Sequence, residues 1–361
     1  MRDLPGLRRA LLQWYRRSRR DLPWRRTRDP YRVWVSEVML QQTQVAAAKP
    51  YYARFVERFP DVRALARAPL DRVLAAWSGL GYYRRARSLH EAAGIVVREH
   101  DGRVPSEPRA FAALPGVGRY TAGAVLSMGF GVGLPVLDGN VARVLSRLSA
   151  LPLSIRRPRD AKRLWDMAEA WLPPTSGRGR GAPGEWNQAL MELGAIVCTA
   201  RAPRCGACPL RARCLALAAG RPEAYPPAPP QRAVIRLRRA VVLVQRSGRT
   251  LVSKREGTLL NGLWEPPGVE LARREPAGRA LAQLLAGLGV RGPLLPTRER
   301  LRHTITNHAI TVEVWRCEAA GRLPRAGARL DWAAPGERRL ALTALGRRLV
   351  SGARGNGMVR A

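Results

Sequence analysis

Residues 225–231 read YPPAPPQ, and this stretch divides the chain into two parts with different periodicities. Four prolines in seven residues fix φ and remove backbone donors, which gives a stiff polyproline-type connector. Before it, apolar residues recur at helical spacing and period-two alternation is nearly absent. Over 3–19, Leu4, Leu7, Leu11, Trp14 and Tyr15 follow that spacing between arginines. Asp29 is an N-cap candidate with Pro30 as the first helical residue. A helix is expected from there to about Ala48, with Glu37 and Gln41 on one face. Further helical segments are expected at 70–77, 83–99, 106–113, 119–130 and 138–149. PPTSGRGRGAPGE (173–185) is expected to be a mobile basic loop. Beyond the connector, AVIRLRRAVVLVQRSGRTLVSKR reads as a hairpin turning near Ser247–Gly248, and TITNHAITVEVWRCE as another strand. A helical stretch at 276–288 lies between them. The fold class expected is multi-domain: an all-α domain over 1–225, a connector over 226–232 and an α+β domain over 233–361.

The chain carries 63 basic residues against 27 acidic ones, a formal charge of +36. Nearly all the bases are arginine; Lys49, Lys162 and Lys254 are the only lysines. The excess runs through both parts rather than one tail. That distribution points to a folded protein whose partner is nucleic acid, because arginine at phosphates releases counterions. No run approaches the ~18 apolar residues of a membrane span. Residues 1–20 lack the apolar core and cleavage site of a secretory signal. The expectation is a cytoplasmic, nucleoid-associated monomer without membrane contact.

LPGVGRYTAG (114–123) lies between two helical segments. Gly116 and Gly118, with Val117 between them, permit a tight turn, and the helix that follows offers unpaired N–H groups to a phosphate. The turn has no Walker lysine or serine and no strand before it, so a nucleotide loop is excluded. Two readings stay open: a helix–hairpin–helix over 106–130 that clamps a DNA phosphate, or an ordinary turn between helices. Cys198, Cys205, Cys208 and Cys214 follow the spacing C-x6-C-x2-C-x5-C within 17 residues. In a reducing compartment such crowding points to metal; zinc and a [4Fe–4S] cluster both suit it, and spacing does not choose. Cys317 stands alone on an expected strand and is read as packing. Glu37, mid-helix among apolar residues, is a candidate general acid because burial raises a carboxyl's pKa. Asp138 opens LDGNVARVLSRL, where capping is the simpler reason for an aspartate. Should the two meet in space, they form a pair suited to glycosidic cleavage through an oxocarbenium-like state.

LPGVGRYTAG, an aspartate 20 residues beyond Gly118 and the cysteine spacing together resemble the helix–hairpin–helix DNA glycosylases of the endonuclease III superfamily. DLPWR (21–25), SEVMLQQTQV (36–45), GLGYYRRAR (79–87) and DGNVARV (138–144) narrow the resemblance to the MutY-type adenine DNA glycosylases. GLWEPPG (262–268) is similar to the start of that family's C-terminal Nudix-like domain. The resemblance covers nearly the whole chain. It implies two α-helical subdomains flanking an active site that removes adenine mispaired with 8-oxoguanine or guanine in double-stranded DNA. It also implies a [4Fe–4S] cluster on the four cysteines, in a loop over 198–214 that presents Arg201, Arg204, Arg211 and Arg213 to DNA.

By the same resemblance, Glu37 matches the acid that protonates adenine N7 and later helps activate water. Asp138 matches the carboxylate that stabilises the sugar cation, and Tyr120 and Asn140 match positions lining the site. Leu22, Trp24, Arg25 and Val45 match the pocket for the flipped adenine, whose scissile bond is inaccessible in the stack. Gln42 and Tyr82 match residues inserted into the helix. Gln41, Thr43, Gly116, Val117 and Gly118 are taken with them as DNA contacts. Where the family has Phe-Ser-His in its C-terminal domain, this chain has Ile305, Thr306 and Asn307; Thr306 keeps the hydroxyl expected at the lesion. VELARREPAGRALAQLLAGLGV, after Gly268, lacks the glutamate cluster with which true Nudix hydrolases bind metal. The second domain is therefore expected to recognise rather than hydrolyse. An endonuclease III-like lyase would need lysine where Tyr120 stands, to form a Schiff base. Two other readings are a nonenzymatic DNA-binding module, opposed by the Glu37–Asp138 pair, and a Nudix pyrophosphatase, opposed by the missing acids.

Overall fold

The computed structural model describes residues 3–174, 182–228, 233–256, 260–305, 307–319 and 324–352. Short polar residues begin its helices. Asp3 and Asp29 cap α1 (Leu4–Ser18) and α2 (Pro30–Leu40), accepting from Gly6 N and Tyr31 N at 2.8 and 2.9 Å. The chain continues through α3 (Val45–Arg58), α4 (Val62–Arg67), α5 (Leu70–Trp77), α6 (Arg84–Glu99), α7 (Pro108–Ala112) and α8 (Arg119–Val125). Then come α9 (Gly139–Ser149), α10 (Pro158–Ala170), α11 (Ala182–Ile196) and α12 (Leu215–Ala218). Leu7, Leu11, Leu145, Leu190 and Trp186 meet in one core that joins α1, α9 and α11.

One expected helix is shorter than its periodicity. The segment beginning at Pro30 stops at Leu40, not near Ala48: Gln41 turns to ψ 114° and Gln42 takes a left-handed φ of 57°. Glutamine is a good helix former, so composition carries no sign of this break. Gln41 therefore caps α2 and does not share its face with Glu37. Similarly, α8 ends at Val125 and the chain runs to Phe130 as a π turn, closed by Gly131 at φ 74°.

The described residues belong to two compact units, which do not follow the order of the chain. Met1–Ala68 and Arg84–Pro230 make one unit, whereas Pro69–Tyr83 joins Gln231–Ala361 in the other. Within the second unit Ser78 Oγ donates to Leu342 O at 2.9 Å and accepts from Arg347 at 2.6 Å, and Lys254 pairs with Asp71 at 2.9 Å. Residues 175–181 of the expected basic loop, 229–232 of the connector and Thr306 lie outside the described residues.

The second unit is built on strands β1 (Ile235–Arg246), β2 (Arg249–Lys254), β3 (Trp264–Glu265), β4 (Gly268–Leu271), β5 (Leu294–Ile305), β6 (His308–Cys317) and β7 (Leu330–Ala333). Strand order is β3-β2-β1-β6-β5, with β4 on β1 and β7 on β2; only β1 and β6 run parallel. Ala240, Val242 and Val244 face the core around α13 (Ala277–Gly287), while Val241 and Leu243 face the one around α14 (Ala344–Val350). Burial on both faces explains the unbroken AVVLV run. The hairpin turns at Ser247 and Gly248, both at positive φ, as expected. TITNHAITVEVWRCE is not a single strand: β5 ends at Ile305 and β6 begins at His308, and the two pair antiparallel with Ile305 opposite His308. Cys317 is buried in the core, as packing requires. Glu265, from GLWEPPG, is spent on structure. It accepts from Arg255 at 2.6 Å and Thr343 at 3.0 Å and pairs with Arg239. Among the described residues no helix is long and apolar enough to cross a membrane.

Candidate active site

Glu37 projects from α2, whose residues from Val33 to Met39 are all buried. Burial pushes its carboxyl up to about 7, against the opposing pull of one donor, Tyr120 Oη, at 2.6 Å from Oε2. Tyr120 lies in the first turn of α8, directly after the glycine hairpin. Its own phenol is raised by burial and by the neighbouring carboxylates, so it stays a donor. Asp138 is the N-cap of α9, so the capping and the chemical readings hold together. Its Oδ1 accepts from Val141 N at 2.7 Å, and its Oδ2 from Asn140 Nδ2 at 2.9 Å. Burial raises this carboxyl too, while those donors pull it back. Environments that drive two carboxyls in opposite directions are one route to separate acid and base roles. Here both move up, and the contrast lies in the number of donors.

Asn140 is held in turn. Arg143 Nη2 donates to its Oδ1 at 2.8 Å and to Gly194 O at 2.8 Å, and Arg143 Nε donates to Cys198 O at 2.7 Å. A continuous set of hydrogen bonds thus runs from Asp138 to the first cysteine. Arg143 escaped the sequence reading, although DGNVARV places it one helical turn from Asn140.

Glu37, Tyr120, Asp138 and Asn140 line one cavity of about 160 Å³, and Leu22, Trp24, Arg25, Thr43 and Val45 line it with them. Trp24 is braced edge-on by Tyr52, with ring centroids 5.2 Å apart. Another part of the wall comes from α11, through Gln188, Met191 and Glu192. Glu192 accepts from Arg20 at 2.9 and 2.7 Å and from Arg25 at 2.8 Å. Burial favours its protonated form, but the two guanidinium groups outweigh it and hold the carboxyl down at about 2. Gln188 Oε1 accepts from Tyr15 Oη at 2.9 Å. None of these three was singled out from sequence; their only signal is the i, i+3, i+4 spacing on one helix face.

Gln41 Nε2 donates to Thr121 Oγ1 at 3.2 Å, and Thr43 Oγ1 accepts from Arg85 at 3.2 Å. Gly116 needs its missing side chain twice over: its φ is 77°, and a Cβ would come within 2.6 Å of Ser88 Cβ. Val117 is buried beneath the hairpin, and Gly118 is the N-cap of α8. Tyr82, at φ 48°, is 42% exposed and belongs to the second unit. Two of the arginines in the cysteine loop have partners within the protein: Arg213 pairs with Asp3 at 2.6 Å, and Arg204 donates to Ile196 O.

The four cysteines line one small cavity with Arg147 and Leu193. Among the described residues no three His, Cys, Asp or Glu side chains converge closely enough to hold a single metal ion. Arg147 is 2% exposed, and among the described residues no carboxylate pairs with it. Its donors go to Thr199 O at 2.7 Å, Ala200 O at 3.0 Å, Tyr225 O at 2.9 Å and Cys198 Sγ at 3.4 Å. A buried cation satisfied by carbonyls still needs a countercharge, and thiolate ligands of a metal group supply one. Burial pushes the Cys208 thiol to about 11 and raises Cys214 as well, so only a bound metal would keep them deprotonated at neutral pH. The residues fit an iron–sulfur group.

Residues 35–169 match the HhH-GPD superfamily of base excision DNA repair proteins, residues 198–214 the iron–sulfur binding domain of endonuclease III, and residues 239–351 the NUDIX domain. The chain is 37% identical over 381 aligned residues to the adenine DNA glycosylase of Rattus norvegicus, covering 89% of this chain and 72% of the rat protein. It is 45% identical over 223 residues to that of Homo sapiens, covering 59% of this chain but 40% of the human one. A solved thermostable thymine-DNA glycosylase shares 31% identity at a TM-score of 0.53, over 59% of this chain and 95% of that one.

Proposed function

The chain belongs to the adenine DNA glycosylases, and from that premise we propose that it hydrolytically removes adenine opposite 8-oxoguanine or guanine and stops at the abasic site. The observation that carries this reading is the meeting of Glu37, Tyr120, Asp138 and Asn140 on one cavity walled by Leu22, Trp24, Arg25 and Val45. Adenine is a poor leaving group until protonated. Glu37, which keeps its proton up to about pH 7, gives it to N7 of the extruded base, while the Tyr120 phenol orients the carboxyl. Positive charge grows on the sugar as the bond breaks, and Asp138, oriented by donors on both oxygens, stabilises it. Glu37, now a carboxylate, accepts the proton of the attacking water. Tyr120 offers no amine for a Schiff base, so the strand stays intact.

On this reading Gly116, Val117 and Gly118 grip a backbone phosphate, Gln42 and Tyr82 enter the helix, and Gln41 and Thr43 contact the DNA. Thr306 meets the 8-oxoguanine from a second domain that recognises rather than hydrolyses. The match of residues 198–214 to the iron–sulfur binding domain of endonuclease III supports a [4Fe–4S] cluster over a zinc; Cys198, Cys205, Cys208 and Cys214 would hold it, and it would cross-link the loop. The protein acts as a nucleoid-associated monomer.

The test uses duplexes with adenine opposite 8-oxoguanine, guanine or thymine, followed by alkali, with borohydride added in a parallel set. Excision should occur opposite the first two only, with strand breaks that require alkali and no substantial trapped adduct. Efficient borohydride trapping of the unmodified protein overturns the monofunctional assignment, and indifference to the opposite base overturns the substrate.

A further inference from the structure

Arg85 stands at the start of α6, where a cation gains nothing from its own helix, because the positive end of the macrodipole lies there. Its partners are on α2 and beyond. Nη1 donates to Val38 O and Met39 O at 2.8 Å each and to Gln41 O, and Nη2 donates to Thr43 Oγ1 at 3.2 Å. Val38 and Met39 belong to the last four residues of α2, whose carbonyls have no partner within the helix. One guanidinium therefore closes the helix that carries Glu37 and also grips the residues on either side of Gln42. Gln42 has φ 57°, an unfavourable backbone for a side chain with Cβ, which persists where its surroundings over-determine it. The same loop is tied twice more, by Gln41 Nε2 to Thr121 Oγ1 and by Thr43 N to Leu40 O at 3.2 Å.

We propose that Arg85 is a positioning residue for Gln42, resting on the reading above that Gln42 enters the duplex. By fixing the backbone on both sides it holds Gln42 in the left-handed conformation before DNA arrives, so less conformational freedom is lost on insertion. A residue kept only to cap α2 would stop at Val38 and Met39; Arg85 reaches past the cap to Gln41 and Thr43. Its planar fork serves several acceptors at once, which a lysine ammonium on a single stem does not reproduce.

The experiment compares the full chain with Arg85→Met and Arg85→Lys, each in the native and the Gln42→Ala background. A 2-aminopurine placed beside the mispair brightens when its neighbour unstacks, and single-turnover excision and Kd are measured alongside. Arg85→Met should lower excision roughly tenfold and dim the 2-aminopurine signal, with Arg85→Lys between it and the native protein. In the Gln42→Ala background the same substitution should change excision by roughly twofold or less, since no side chain remains to be positioned. Equal losses in both backgrounds, or full brightness in Arg85→Met, would leave Arg85 a helix cap and overturn the proposal. Iron content and melting temperature identify a misfolded Arg85→Met, in which case Arg85→Lys carries the comparison by the same criteria. Absence of adenine excision by the native protein counts against the proposed function. Brightening that depends on Arg85 in that protein still supports the positioning role.

Discussion

Glu37, on the α2 wall of the cavity, is 5% exposed and meets one phenol; Glu192, on the α11 wall, is 1% exposed and meets two guanidinium groups. Burial opposes ionisation in both. One donor is too little to offset it, and Glu37 rises to about 7; two cations are more than enough, and Glu192 falls to about 2. The depth of a carboxylate thus decides less than the charge of its partner. One wall holds an exchangeable proton and the other a fixed ion-pair cluster that anchors Arg25. Their contributions to stability run in opposite directions with pH. The folded form of Glu37 retains a proton that the unfolded chain releases near 4.5, so its contribution is lost as pH rises from there through about 7. The contribution of Glu192 is present above about 4.5 and is lost as pH falls toward about 2.

The largest expected effect breaks the comparison on the α2 wall. Glu37→Gln keeps shape and burial but has no proton to give, and loss of a positioned general acid removes about 10²–10⁴-fold in rate. Single-turnover excision should fall by that much while duplex binding and iron content hold. Near-native excision by a folded Glu37→Gln protein would sink the acid assignment. On the α11 wall the loss should be in stability. Glu192→Gln leaves Arg20 and Arg25 without countercharge, and breaking a buried pair costs about 3–5 kcal/mol. Arg20 is 35% exposed and water screens it, so the lower end of that range is expected. A denaturant midpoint unchanged by Glu192→Gln would show that the ion cluster is not structural.

The α2 wall was the more legible from sequence, for a physical reason. Glu37, Tyr120 and Asp138 each sit beside a local signal: an apolar helix, a glycine hairpin and an N-cap. The cysteines are legible because their ligand spacing is local as well. Glu192 is not, because Arg20 lies 172 residues away and nothing near α11 signals the pairing. The break at Gln42 was hidden for the converse reason: Arg85 and Thr121 impose it from a distance on residues that favour helix. Likewise, periodicity gave Leu70–Trp77 as a helix but not its membership of the second unit, which rests on partners such as Leu342 and Arg347.

The smallest expected effect sharpens the comparison at a single hydrogen bond. Tyr120→Phe removes the only donor that an interaction in the described structure gives to the Glu37 carboxyl, leaving burial and Asp138 to raise its pKa and the charge of Arg25 to lower it. The phenol bond favours the ionised carboxylate, so its loss should let Glu37 keep its proton to higher pH. Excision needs that proton, and in the unaltered protein its rate should fall as pH rises through about 7. In Tyr120→Phe this alkaline limb should move upward, whereas the acid limb, set by Asp138 and its own donors, should stay. Single-turnover rates at enzyme concentrations below saturation report the groups of the free enzyme, and binding followed at each pH separates affinity from chemistry. The phenol's other contact, Met191 Sδ at 3.3 Å, is weak, so little of the response should come from that side of the cavity. An alkaline limb that stays put or moves down would mean that a partner other than Tyr120 sets the protonation of Glu37.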